Sequence, residues 1–357
     1  MNGLKQIGLT TKLVVLLVGF SLIPLSVQVY SLFQTAAILE DEVGVQYQGV
    51  AERLAEKILF SLQERRQDLL TFSQNPLVLD RARWYQGGPE HQSLVEALNR
   101  YVQTAGDYYL IEVVDADGRL IAVNDRTSSG EPIPAEDLYD RSYQQVAWFQ
   151  ALSSQLTSPR TGHGTPSEGQ TNPIFVEYVS VDQHVKAMYP ENSGLTIGFS
   201  TPLVEKGVVV GFWSQRMKFS AIEGLFQQAY QELKKGGFPS AELTLQDAQG
   251  FLLIEYAPAI HQTEQMVHDF ENILFKTNLA SMEFVPAQKA IQGESGVSRH
   301  FHPTRQSTQF VGYSHLREGL GFQGLNWSVL VQVPEGEALA HVRTITRNTL
   351  LEMSLGL

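Results

Sequence analysis

The sequence contains no cysteine. A disulfide framework, a thiolate metal site and a cysteine nucleophile are thereby excluded. Basic residues are also scarce: 26 Lys and Arg stand against 38 Asp and Glu, a formal net charge of −12. A chain of that sign lacks the basic footprint that nucleic-acid binding needs. No glycine-rich phosphate loop sits between a strand and a helix, so no nucleotide cofactor is implied. Ser200 and Ser314 follow glycine–aromatic pairs in strand-like runs, without a G-x-S-x-G elbow. No nucleophile–base pair has a supporting motif. The globular part therefore reads as non-enzymatic and free of cofactors.

Charge is missing altogether from one stretch. Leu13–Phe33, 21 residues, carries none. At about 1.5 Å per residue such a helix spans roughly 30 Å, the thickness of a bilayer's hydrocarbon core. Lys5 and Lys12 precede it, and no acid occurs before Glu40, Asp41 and Glu42. The positive-inside rule then puts residues 1–12 in the cytoplasm, residues 13–33 across the membrane, and the bulk outside. A cleaved signal peptide is the alternative. The run is long for one, and no A-x-A-like site follows. Pro24 is expected to kink the span, which membrane helices tolerate.

Breaks are few in the next stretch. From Ala36 to Phe72 apolar residues recur at threes and fours: Leu39, Val43, Tyr47, Val50, Leu54, Ile58, Leu62. That period predicts a long helix over 36–75, stopped by Asn75-Pro76. Such a stripe can lie along the helix's own domain, or pair with a second subunit as a homodimer stalk. Both readings are open, and they are compatible.

Beyond it the pattern turns to strands. Tyr109–Val114 and Arg119–Val123 flank Asp115-Ala-Asp-Gly118, a strand–turn–strand signature. Ala241–Gln246 and Phe251–Glu255 flank Asp247-Ala-Gln-Gly250 in the same way. A second echo joins Ile197-Gly-Phe-Ser200 to Val311-Gly-Tyr-Ser314. Two echoes in one order predict two copies of an α+β unit, each an antiparallel sheet with packed helices. The expected units are 76–232 and 238–333, linked by a helix over Ser220–Lys235. Residues 334–357 read as an exit helix leading towards a second membrane span cut by a fragment boundary. A surface helix is the alternative there, because Glu352 interrupts the apolar run.

These pieces, in order, resemble the double Cache (dCache) extracytoplasmic sensor domains of bacterial transmembrane receptors. The resemblance covers nearly the whole chain. It rests on the anchor, the long helix ending near Asn75-Pro76, and the Val114–Gly118 hairpin. It also rests on Phe199-Ser-Thr-Pro-Leu203 before Gly207–Gly211, and on Gly321–Trp327 before Pro334-Glu335. It implies two PAS-like subdomains along a long N-terminal helix, the membrane-distal one holding the ligand. The implied function is a receptor in the bacterial inner membrane, with its sensor domain in the periplasm or outside the cell, acting in chemotaxis. A sensor histidine kinase or cyclase input domain is the alternative, as is an anchored protein-interaction module.

Amino-acid-binding members carry an Arg-x-Trp-Tyr motif and a late Asp that grips the ligand ammonium. Here Trp148 and Phe149 stand in place, but the Arg position falls on Val146 and the Asp position on Arg216. That argues against an α-amino acid and for a small anionic or neutral ligand, since arginine holds a carboxylate well. The expected pocket residues are Tyr139, Arg141, Tyr143, Trp148, Phe149, Tyr178, Lys186, Tyr189 and Arg216, aromatic walls with a few polar groups. Ordinary core packing is the alternative for Trp148. The loop from Ser158 to Pro173 is rich in Gly, Pro and Ser and could act as a lid. His300 and His302 would share a strand face and could share a metal, but no third ligand is evident.

Overall fold

The computed structural model describes residues 9–84, 89–157, 173–316 and 325–355. The expectations for residues 1–8, for the loop over 158–172 and for Gly321–Gly324 lie outside the described residues.

The chain opens with α1 (Leu9–Ser73), one helix of 65 residues. The two segments expected over 13–33 and 36–75 are thus continuous, and Pro24 lies within. At the helical rise α1 is about 98 Å long. Leu13, Val14, Leu16, Phe20, Ile23, Val27, Tyr30 and Phe33 are all exposed. Among the residues whose side chains are described, no helix is long and apolar enough to cross a membrane. Those residues leave out the side chains of Val15, Leu17, Val18, Ser21, Leu22, Pro24 and Leu25, all part of the uncharged run.

The stripe further along α1 behaves differently. Tyr47, Val50, Leu54, Ile58 and Leu62 are buried within this chain. Ile38 and Val45 remain more than half exposed, at 65% and 60%. The apolar stripe therefore packs on the protein's own units, and Val50 and Leu54 cannot form a subunit seam. If α1 pairs with a second copy in membranes, cysteines at Ile38 or Val45 should cross-link, whereas cysteines at Val50 or Leu54 should not. Cross-linking at Val50 and Leu54 alone would contradict this burial.

The fold divides into two units, and their boundaries fall inside helices. One unit comprises Glu56–Gln228 together with Leu325; the other gathers residues 9–55, 229–316 and 326–355. The first has α2 (Pro76–Leu79), α3 (Pro89–Ala105), β1 (Tyr108–Asp115), β2 (Leu120–Val123), α4 (Ala147–Thr157), β3 (Phe175–Val176), β4 (Ser180–Val181), α5 (Gln183–Met188), β5 (Leu195–Glu205) and β6 (Val208–Lys218). The linking helix α6 (Ser220–Lys235) follows. The second unit has β7 (Glu242–Gln246), β8 (Leu252–Tyr256), α7 (Pro258–His261), α8 (Val285–Ile291), β9 (Gly296–His302), β10 (Ser307–His315), β11 (Ser328–Pro334), α9 (Glu335–Ala338) and α10 (Ala340–Leu355).

The sheets share one topology. Their orders are β2-β1-β6-β5-β3, with β4 also on β5, and β8-β7-β11-β10-β9. Every pairing is antiparallel. The two hairpins match bond for bond. Asp115 Oδ1 accepts from the backbone N–H of Asp117 (2.9 Å) and Arg119 (2.8 Å). Asp247 Oδ1 accepts from Gln249 and Phe251, both at 2.8 Å. Gly118 (φ +80°) and Gly250 (φ +91°) supply the positive φ each turn requires. Each first strand is bulged just before its aspartate, at Val113/Val114 and at Leu245/Gln246.

The second echo is out of step by one residue. Gly198 lies opposite Arg216, and Gly312 lies opposite Val331. Glu112 lies opposite Ser214, and Thr244 opposite Leu330. Taking the hairpins as equivalent, Arg216 corresponds to Gln332 and Gly198 to Val311. A one-residue offset reverses which face a residue joins. Gly312 accordingly faces α1, where an added Cβ would strike the backbone of Tyr47 and Gln48.

Candidate functional site

The site builds on one face of the first unit's sheet. Alternation along β6 sends Trp213 and Gln215 to one side and Phe212, Ser214 and Arg216 to the other. The Gln215 amide donates to the Arg65 carbonyl of α1 at 2.9 Å, which fixes the first side as the helix side. The opposite side carries an apolar cluster that includes Tyr143, Trp148, Phe149, Tyr189 and Phe212. The rings meet edge to face or tilted, Trp148 lying 5.9 Å from Tyr143 and 6.2 Å from Phe212 between centroids. Trp148 is fully buried in this cluster. One atom in this wall stays unsatisfied: the Trp148 indole Nε1 is buried without a hydrogen-bond partner.

Beside the aromatics sits an ionic cluster. Arg216 is 4% exposed. Its guanidinium pairs with Glu177 through Nη1, and its Nε lies 3.4 Å from Asp182. Gly198, directly across the ladder, leaves room for this pair: a Cβ there would collide with the Arg216 Nη1 and Glu177 carboxylate atoms. Asp182 also caps α5, accepting from the His184 N–H at 2.9 Å and the Val185 N–H at 3.1 Å. Glu112 is fully enclosed on the same face and accepts from the Tyr143 hydroxyl. Burial pushes the Glu112 carboxyl up, against the pull of Arg216 and the Tyr143 bond. The Tyr143 hydroxyl is driven up by burial and then by Glu112. The Arg141 guanidinium lies 4.8 Å over the Tyr143 ring.

Arg216 is therefore already paired within the chain. Arg216 was expected to hold a ligand carboxylate, but Glu177 and Asp182 already match its charge, and Glu112 adds a third acid.

Of the nine expected pocket residues, the fold brings six together: Arg141, Tyr143, Trp148, Phe149, Tyr189 and Arg216. Tyr189 is fixed by its hydroxyl, which donates to the Tyr109 carbonyl at 2.8 Å. Tyr139 and Tyr178 are 39% and 43% exposed. Lys186 donates to the carbonyls of Pro190 and Asn192 and so closes the turn after α5. Glu112 and Asp182 were missed. Glu112 has a signal in sequence, an acid midway along an otherwise apolar strand. Asp182 reads locally only as a helix cap.

Among the described residues no group of three His, Cys, Asp or Glu side chains is placed to hold a metal ion. His302 is buried, with Nδ1 3.2 Å from Thr304 Oγ1 and 3.3 Å from the Arg305 N–H, while the imidazoles of His300 and His302 flank Phe284.

No protein-family model matches the sequence, and no curated protein matches it. Solved structures do match. The extracellular domain of a protein assigned as a histidine kinase aligns over 85% of this chain and 96% of its own, with TM-score 0.57 and 11% identity. The ligand-binding domain of the Campylobacter jejuni chemoreceptor Tlp3, in complex with 4-methylisoleucine, covers 84% and 94%, with TM-score 0.53 and 8% identity. The corresponding domain of the Pseudomonas fluorescens chemoreceptor CtaA, in complex with L-isoleucine, covers 87% and 99%, with TM-score 0.51 and 14% identity. The chain has the double Cache fold of extracytoplasmic sensor domains.

Proposed function

We propose that the chain is the sensing region of a bacterial transmembrane receptor, and that the unit over Glu56–Gln228 binds a small neutral molecule. The unsatisfied Trp148 N–H carries this reading. A buried donor without an acceptor costs about 1–3 kcal/mol, and a ligand acceptor would recover it. The surrounding Phe149 and Phe212 rings suit an apolar body. The cluster of Arg216, Glu177, Asp182 and Glu112 disfavours a carboxylate. The neighbouring folds are receptor input domains, two of them holding aliphatic amino acids. The swap of the expected acidic position to Arg216 separates this site from theirs.

Membrane attachment belongs to the same proposal. The uncharged run is helical, its described apolar side chains face outwards, and basic residues precede it while acids follow. That pattern supports one span with the folded units on the non-cytoplasmic side. Signalling then requires a ligand with different affinities for two receptor states.

The test is a thermal-shift screen of the full chain in detergent, with neutral polar compounds of about ten heavy atoms beside amino acids and carboxylates. Neutral compounds should give the hits. Trp148→Phe keeps a ring and drops the N–H, so it should weaken a hit's binding about tenfold. Its effect on ligand-free melting should be small, because the lost packing is offset by removal of an unpartnered donor. A hit list of carboxylates, or hits indifferent to Trp148→Phe, would sink the reading.

A further inference from the structure

The second unit holds a cavity at the same place on its sheet. Its volume is about 120 Å³. At 10–15 Å³ per water that is room for about eight waters, or a ligand with a similar number of heavy atoms. The hairpin equivalence assigns its polar lining. Thr244 stands where the first unit has Glu112, and Gln332 stands where it has Arg216. Glu242, one position pair along β7, stands where it has Leu110. All three line the cavity.

Two of these side chains are unsatisfied. Thr244 Oγ1 is buried with no hydrogen-bond partner, and the Gln332 amide lies beside His302 without closing one. Both residues are at most 2% exposed. A domain of this kind rarely leaves three such atoms on one cavity wall unless something meets them.

The charge of the wall sets the ligand's sign. Arg305 is the guanidinium of the cavity. Its Nε lies 3.0 and 2.9 Å from the two oxygens of Glu242, and its Nη2 donates to Glu255 at 2.7 Å. The second oxygen of Glu255 is 3.1 Å from His261 Nε2. Glu255 is thus met on both oxygens, whereas the two oxygens of Glu242 share one arginine N–H and the nearby Gln309 amide. Burial, and then Arg305, holds the His302 imidazole low, at about 4, so it adds no charge at neutral pH. Two carboxyl groups therefore face one guanidinium, and burial pushes the Glu242 carboxyl up against the pull of Arg305. Leu252, Ile273 and Leu279 complete the wall with apolar surface.

We propose that this cavity is a second ligand site, taking a small organic cation: a primary ammonium on a short apolar body. Its three N–H bonds go to Glu242, Thr244 Oγ1 and the Gln332 carbonyl oxygen. Its carbon body lies on Leu252, Ile273 and Leu279. The receptor then carries two ligand sites, one in each unit, for ligands of different charge.

The experiment uses the full chain in detergent near pH 7.5 and three probes of one size: propylammonium chloride, sodium propionate and 1-propanol. Binding is read by saturation-transfer NMR titration. Propylammonium should bind saturably, and the other two should not. Thr244→Val, which keeps the shape and removes the hydroxyl, should raise its Kd severalfold. Glu242→Gln should raise it by tenfold or more. Asp182→Asn, in the other unit, should leave it unchanged and so separates this site from the one built around Trp148. Equal response to all three probes, no response to propylammonium, or loss through Asp182→Asn instead of Thr244→Val would overturn the proposal. Should Glu242→Gln fail to fold, Thr244→Val alone decides.

Discussion

Arg216→Ala should lower the stability of the ligand-free chain by about 3–5 kcal/mol, the cost of breaking a buried ion pair from one side. The variant leaves Glu177, Asp182 and the enclosed Glu112 without their shared cation. Those carboxylates are more than half shielded from solvent, so water can replace only part of what the guanidinium supplied. Thermal unfolding of parent and variant measures the effect. Adding Glu177→Gln to Arg216→Ala should restore part of the loss, because one orphaned charge disappears. A variant that melts within a degree of the parent would mean that Arg216 is not the centre of this cluster.

Acid should destabilise the chain through His302. Its ordinary imidazole value is 6.5, and burial, followed by Arg305, lowers it to about 4 in the folded state. The unfolded chain therefore takes up the proton first as pH falls. The stability that goes with the neutral ring is complete above about pH 6.5 and is lost as pH drops towards 4, a loss of about 3 kcal/mol. The geometry gives the reason. Nδ1 receives the Arg305 backbone N–H, so a proton on that nitrogen would set two donors against each other. Denaturant unfolding at pH 7, 5.5 and 4.5 should show the gap between parent and His302→Gln narrowing as pH falls. A gap that stays constant across that range would remove His302 as the cause. Carboxylates titrating in the same window act on both proteins and cancel in the difference.

Much of the architecture could be read from residue order alone, and the reasons differ by element. The Asp-x-x-Gly turns were legible because one aspartate oxygen and one positive-φ glycine dictate the hairpin locally. Both hairpins formed as expected. The Gly-aromatic-Ser echo was legible as a strand but misleading as a match. Chain similarity does not register strands; partners across the ladder do, and they place Gly198 and Gly312 on opposite faces. Arg216 shows the same limit for chemistry. Alternation along β6 puts it on one face with Ser214, yet its partners Glu177 and Asp182 come over thirty residues earlier, from the ends of separate elements. Nothing local marks those acids as its counter-ions. Trp148 reads from sequence as a pocket or a core residue alike, while the isolation of its N–H depends on how every neighbour packs. The cavity in the second unit left no motif at all, since Thr244 and Gln332 become a site only through the sheet.

The contact at Gly312 has a mechanical side. Between β10 and α1 at Tyr47 there is no side chain, and main chain rests on main chain. A side chain can rotate to absorb a displacement; a peptide group held in a ladder cannot. Sliding of α1 past this point would first have to lift the helix off the sheet. Small tilts about it cost far less.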